Sequence, residues 1–121
     1  MKANVIITPN FQREAKKLIK KFQSLKSELL ENPRMGTLIK ENSYKIRLSV
    51  KSKGKGKSGG MRVITYVETE IIEKEEDTDV YLLSIYDKSD YESISDISLE
   101  FLINEVKTEI QQQKETSTEE E

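Results

Sequence analysis

The stretch Asp79–Tyr86, DVYLLSIY, is apolar at almost every position. Successive side chains of a strand point to opposite faces, so a run of this kind reads as a central strand covered on both sides. This requirement shapes the rest of the chain, because material must be found for both faces. The length of 121 residues allows one domain with little room for a second core. Apolar residues make up 35% and charged residues 35%, which predicts a small core under a heavily solvated surface.

Other segments supply the cover. Asn4–Thr8 (NVIIT) is a short β-branched run and reads as a first strand. Thr8-Pro9 then opens a helix, with Thr8 at the N-cap and Pro9 at the first helical position. Phe11, Ala15, Leu18, Ile19 and Phe22 form its apolar stripe, with Lys16, Lys17, Lys20 and Lys21 on the other face. Ser24 can cap a second helix carrying Leu25, Leu29 and Leu30. That helix ends before Asn32-Pro33, since the residue preceding proline disfavours α geometry. The two helices together suggest a helical hairpin. Met35-Gly36 is a turn. Tyr44, Ile46, Leu48 and Val50 alternate with Lys45, Arg47, Ser49 and Lys51, a half-buried strand with one cationic face. Arg62–Val67 (RVITYV) is the next strand, with Val63, Thr65 and Val67 opposed to Arg62, Ile64 and Tyr66. Glu68–Asp79 reads as an exposed acidic loop. From Ser98, Leu99, Leu102, Ile103, Val106 and Ile110 mark an amphipathic C-terminal helix. The expected fold is α+β: a small antiparallel sheet of about four strands, an N-terminal helical hairpin and a C-terminal helix. Residues 1–112 form the single domain, and the acidic tail 113–121 is expected to be disordered.

The chain has no cysteine and no histidine. Thiol nucleophiles, disulfides and zinc–thiolate sites are therefore excluded, and the commonest general base is missing. No cofactor or metal is expected. No apolar run approaches the roughly 20 residues needed to span a bilayer, and the N-terminus lacks a signal-peptide core. The expectation is a cytoplasmic protein without a membrane partner. The net charge of −2 hides a segregation. Residues 1–67 hold 12 Lys and 4 Arg against four acids, a net +12, and residues 68–121 hold 4 Lys against 18 acids, a net −14.

Between the two central strands, Lys51–Arg62 reads KSKGKGKSGGMR, with four lysines, four glycines and no acid. Lysine runs are usually solvated faces. Solubility alone does not require Gly54, Gly56, Gly59 and Gly60, whereas glycine lets backbone N–H groups approach phosphate closely. Gly56-Lys57-Ser58 matches the end of a phosphate-loop motif. That motif also needs glycine at position 51, where Lys51 stands, and a helix where a strand follows, so it is excluded. A hairpin brings same-face residues together, so Lys45, Arg47, Lys51 and Arg62 can converge, with Lys53, Lys55 and Lys57 at the same end and Lys88 after the third strand. This set fits RNA cleavage by the substrate's own 2′-OH. Lys51 or Lys53 would be base, Arg62 a clamp for the phosphorane, and Lys88 the acid or a second clamp. Lys55 and Lys57 suit RNA backbone contacts. Tyr86 and Tyr91 are candidates for stacking on a base or donating a proton, Tyr86 being equally readable as core. Asp87 and Asp90 read as positioning or turn residues.

The segments YKIRLSVKSKGKGKSGGMRVITYV (44–67) and VYLLSIYDKSDYESIS (80–95) resemble the RelE/ParE superfamily of bacterial toxins, most of all its HigB-type branch. The resemblance covers roughly residues 2–107. It implies a compact RelE/ParE-like α+β fold and a ribosome-dependent, metal-independent mRNA endoribonuclease of a type II toxin–antitoxin system. It also implies ribosome and mRNA as partners and a cognate antitoxin, often a helix-turn-helix DNA-binding protein. The family's basic catalytic residues match Lys51 and Lys53, its arginine matches Arg62, and its final basic residue matches Lys88, a lysine where the RelE pattern has arginine. The RelE catalytic tyrosine has no counterpart: that region reads Ile94, with Tyr91 three residues earlier. The alternatives are a ParE-like DNA gyrase inhibitor without nuclease activity, or a catalytically inactive RNA-binding relative.

Overall fold

A computed structural model of the chain describes residues 2–15, 23–49, 60–87 and 93–119. In chain order these form β1 (Lys2–Ile7), α1 (Pro9–Ala15), α2 (Gln23–Glu31), β2 (Thr37–Lys40), β3 (Ser43–Ser49), β4 (Gly60–Ile72), β5 (Glu75–Asp87) and α3 (Asp96–Glu119). One sheet contains all five strands, in the order β1-β5-β4-β3-β2. The α+β class agrees with the sequence. The sheet, however, has five strands and is mixed, because β1 runs parallel to β5 while the other neighbours are antiparallel.

The apolar run of β5 lies between β1 and β4 and is covered on both faces. On the lower face Val80, Leu82 and Ile85 join Val63, Val67 and Ile46 against Phe11, Ala15, Leu25 and Leu29 of α1 and α2. On the upper face Tyr81, Leu83 and Tyr86 join Ile64 and Tyr66 against Leu99, Ile103 and Val106 of α3. Each fully buried Leu, Ile or Phe contributes roughly 1.5–3 kcal/mol. The strict alternation slips once. Ile64 pairs with Ser84 but Thr65 pairs with Leu82, so β5 carries one extra residue at this point. This bulge lets Ile85 return to the lower face and Tyr86 to the upper.

Thr8 caps α1 as its position predicts. Its Oγ1 accepts from the Phe11 N–H at 3.2 Å and donates to the Leu82 carbonyl at 2.7 Å, tying the helix start to β5. The helical-hairpin expectation needs correction: α1 lies against β5 and α2 against β1, each helix docking on its own strand. The join between them, with Leu18, Ile19 and Phe22, lies outside the described residues. α3 begins at Asp96 rather than at Ser98, and its cap is Ser95. Its Oγ accepts from the Ser98 N–H at 3.2 Å, and its carbonyl accepts from Leu99 N–H at 2.9 Å. The helix also runs on to Glu119, where lack of apolar residues predicted a disordered tail from 113. Glutamine, lysine and glutamate are good helix formers.

Two further corrections concern strands. β2 was missed because it is four residues long and exposed almost throughout, which removes any alternation. Gly36 precedes it with φ +100, and a Cβ there would sit 2.5 Å from the Lys45 carbonyl oxygen. The acidic stretch 68–79 is not a loop. β4 and β5 continue through it as a ribbon, with Ile72 paired to Glu75 across Glu73-Lys74. Both turn residues have positive φ, 51 and 73. This is the twist that two-residue hairpins require, and Asn-Gly satisfies it at least cost. Replacing Glu73-Lys74 by Asn-Gly is therefore expected to raise stability by about 1–2 kcal/mol in denaturant unfolding. A loss of stability contradicts this account of the turn.

Candidate functional site

The sheet brings the basic side chains into rows. Arg47 on β3 is the cross-strand partner of Arg62 on β4, and Arg62 is the partner of Tyr86 on β5. Lys45 pairs with Ile64 one row further on. Directly paired residues share a face, and Ile64, Tyr66 and Tyr86 belong to the upper core. Lys45, Arg47 and Arg62 therefore all lie on the α3 side of the sheet. Arg47 is exposed and Lys45 half-buried.

Arg62 is the unusual member, being only 9% exposed. Its guanidinium carries five N–H donors, yet its one hydrogen bond among the described residues is a 3.3 Å contact from Nη1 to the carbonyl of Met61. No carboxylate among the described residues pairs with it; the ion pair they form is Lys40–Glu100, 2.8 Å long, between β2 and α3. A buried charge without a counter-charge is costly, and a second arginine directly across the ladder adds like-charge repulsion. An anion held between them removes both penalties.

Tyr86 borders this row. Its side chain is 4% exposed and packed in the upper core, hydroxyl included, so it presents no stacking surface. Burial pushes the phenol above its ordinary pKa, opposed by a backbone hydrogen bond from Ile94 and by the charge of Arg62. Lys51, Lys53, Lys55, Lys57, Lys88 and Tyr91 lie outside the described residues. Along the chain, Lys51–Lys57 fall between Ser49, the end of β3, and Gly60, the start of β4, and Lys88 follows Asp87, the end of β5.

Next to this row the edge of β5 changes partner. β1 pairs with it only as far as Leu82. Beyond that point α1 side chains take over. Asn10 Nδ2 donates to the Leu83 carbonyl at 2.9 Å, and Glu14 Oε1 accepts from Ser84 Oγ at 2.8 Å and from Ile85 N–H at 3.3 Å. Between this edge, α1 and the start of α3 lies a cavity of about 720 Å³, lined by Glu14, Ser84, Ile94, Ile97, Phe101 and Leu102. Ile97 and Phe101 are 82% and 62% exposed. No periodicity marks this groove, since the apolar stripe of α3 begins at Leu99 and Phe101 falls beside it.

The same upper face ends in the opposite charge. Glu68 pairs with Asp79 and Glu70 with Asp77 across the ribbon, roughly 25 Å from Arg62 at about 3.4 Å per residue. Asn4 Nδ2 bridges Asp77 and Asp79 at 3.1 and 3.0 Å, which relieves part of the repulsion. Among the described residues no cluster of carboxylates is arranged to hold a metal ion. Lys45, Arg47 and Arg62 thus lie toward one end of this face and the four carboxylates toward the other.

No protein-family model matches the chain. Among the described residues no helix is long and apolar enough to cross a membrane.

The acidic end leaves a titration signature. Burial first, then Asp79, Glu109 and Glu68, push the Tyr81 phenol from 10.0 to about 12. A phenol raised in the folded state contributes stability in full below its unfolded pKa, and loses it as pH climbs through the folded value. Stability should therefore fall between pH 10 and about 12, and fall less steeply in Tyr81→Phe. Tyrosinate absorbance during alkaline titration checks this: the last step should disappear in the variant, and its survival contradicts the assignment.

Proposed function

We propose that the chain is a ribosome-dependent, metal-independent mRNA endoribonuclease, the toxin of a type II toxin–antitoxin pair. The observation that carries this reading is the buried Arg62 guanidinium, without a counter-charge among the described residues and with Arg47 directly across the ladder. A site of this kind wants a doubly shared anion, and a phosphodiester supplies two non-bridging oxygens that the planar guanidinium fork can bind together. The resemblance of segments 44–67 and 80–95 to the RelE/ParE superfamily points to the same chemistry.

In the proposed reaction the amine of Lys51 or Lys53, neutral at the moment of attack, removes the proton from a ribose 2′-OH. The 2′-oxygen then attacks the adjacent phosphorus. Negative charge grows on the equatorial oxygens of the phosphorane, where Arg62 stabilises it. The bond to the 5′-oxygen breaks, and Lys88 in its charged form returns a proton to that oxygen. The products are a 2′,3′-cyclic phosphate and a 5′-hydroxyl, so no water, metal or cofactor is consumed in this step. Lys45, Arg47, Lys55 and Lys57 hold RNA backbone on either side of the break, while Tyr86 and Tyr91 border the base. The partners on this reading are the ribosome, its mRNA and a cognate antitoxin that neutralises the cationic face.

The test is induced expression of the full chain, with primer extension on translated mRNA. Wild type should arrest growth and produce new 5′ ends inside coding sequence. Arg62→Ala, folded by circular dichroism, should lower cleavage by about 100-fold or more. Arrest without mRNA cleavage but with DNA damage signalling overturns the reading in favour of a gyrase inhibitor. No arrest points to an inactive RNA-binding relative.

A further inference from the structure

We infer that Gly60 is a positioning residue for Arg62: by lacking a Cβ it fixes where the buried guanidinium lies. Residues 60 and 62 are two apart on β4 and so share a face. The Arg62 side chain folds back along the strand, and a Cβ placed on Gly60 would stand 2.7 Å from Nη1, 3.7 Å from Cζ and 3.8 Å from Nη2. The Nη1 end of the guanidinium therefore occupies the space that a side chain at Gly60 would take. The contact with the Met61 carbonyl, at 3.3 Å, is too long and too local to hold it there unaided. No ion pair among the described residues does so either.

The two described glycines differ in kind. At Gly36 the obstacle to a side chain is backbone, the Lys45 carbonyl, and φ is positive. At Gly60 φ is not in the left-handed region, and the three nearest atoms a methyl group would meet all belong to one flexible side chain. Alanine therefore fits the strand at position 60, where Gly60 pairs with Ser49, and the strain is relieved by moving the guanidinium. Gly60→Ala separates the fold from the site: it displaces Arg62 while leaving the protein intact. Stability should be unchanged or slightly higher, because alanine restricts the unfolded chain.

The inference rests on the reading of Arg62 as the phosphate clamp, and the experiment separates the two. Cleavage of mRNA by the full chain in a translating extract is measured for wild type, Gly60→Ala, Arg62→Ala, Arg62→Lys and Gly60→Ala with Arg62→Lys. A displacement of about 1 Å at a reacting group costs up to about 100-fold in rate. Gly60→Ala should therefore lower kcat by about 10- to 100-fold with KM nearly constant and the melting temperature held. Lysine has no Nη1 to collide with the added methyl group, so Gly60→Ala should have no further effect in the Arg62→Lys background. The Nε–Hε NMR signal of Arg62, which needs no activity, should shift in Gly60→Ala.

Full cleavage by Gly60→Ala, with Arg62→Ala inactive, overturns the positioning role and leaves the clamp standing. An unmoved Nε–Hε signal also overturns the positioning role. Full cleavage by Arg62→Ala overturns the clamp and the inference with it. Equal losses from Gly60→Ala in the arginine and lysine backgrounds mark a purely structural effect and likewise overturn it.

Discussion

β5 is apolar on both faces, and the rest of the molecule is arranged to cover it. α1 and α2 lie under it and α3 over it. β4 takes one edge, and β1 takes the other as far as Leu82. Where β1 stops, Asn10 and Glu14 of α1 satisfy the next backbone groups, so the edge is closed by side chains instead of a strand. An uncovered face would leave several large side chains in water, and no other strand has comparable apolar content on both sides. The bulge at Leu83-Ser84 follows from the same constraint, since it realigns Ile85 and Tyr86 with the two cores.

Covering both faces also fixes the site. Arg62 lies on the upper face because its neighbours Ile64 and Tyr66 are needed there under α3. Its guanidinium reaches the end of that core, beside Tyr86 and across from Arg47, with its Nη1 end in the space that a side chain at Gly60 would take. The acids occupy the other end of the face, well beyond the roughly 10 Å over which charges interact at ordinary ionic strength. The site is cationic although the whole chain is acidic. This layout reconciles a pI of 5.4 with a locally cationic patch.

What could be read from the sequence was whatever leaves a period or a cap. The two-faced run of β5, the alternation of β3 and the Thr8-Pro9 start of α1 each have a physical marker, and each is present in the structure. β2 left none, being short and exposed. The parallel pairing of β1 left none either, because NVIIT reads alike in both directions and only the helices between the strands decide its orientation. The acidic ribbon was hidden by its charges, which mask the alternation of Thr69 and Thr78 with Glu68 and Asp79. For the site, the common face of Lys45, Arg47 and Arg62 was legible from the hairpin. The burial of Arg62 and its close approach to Gly60 were not, since they depend on how one side chain folds back.

The most direct test of the central claim, that Arg62 is a phosphate contact, is the salt dependence of binding to a short 2′-O-methyl single-stranded RNA, which cannot be cleaved by 2′-OH attack. Each phosphate neutralised in a single strand adds about 0.7 to the slope of log affinity against log salt. Arg62→Ala should bind more weakly, with a slope shallower by about that amount. An unchanged slope, with the variant folded, contradicts the account.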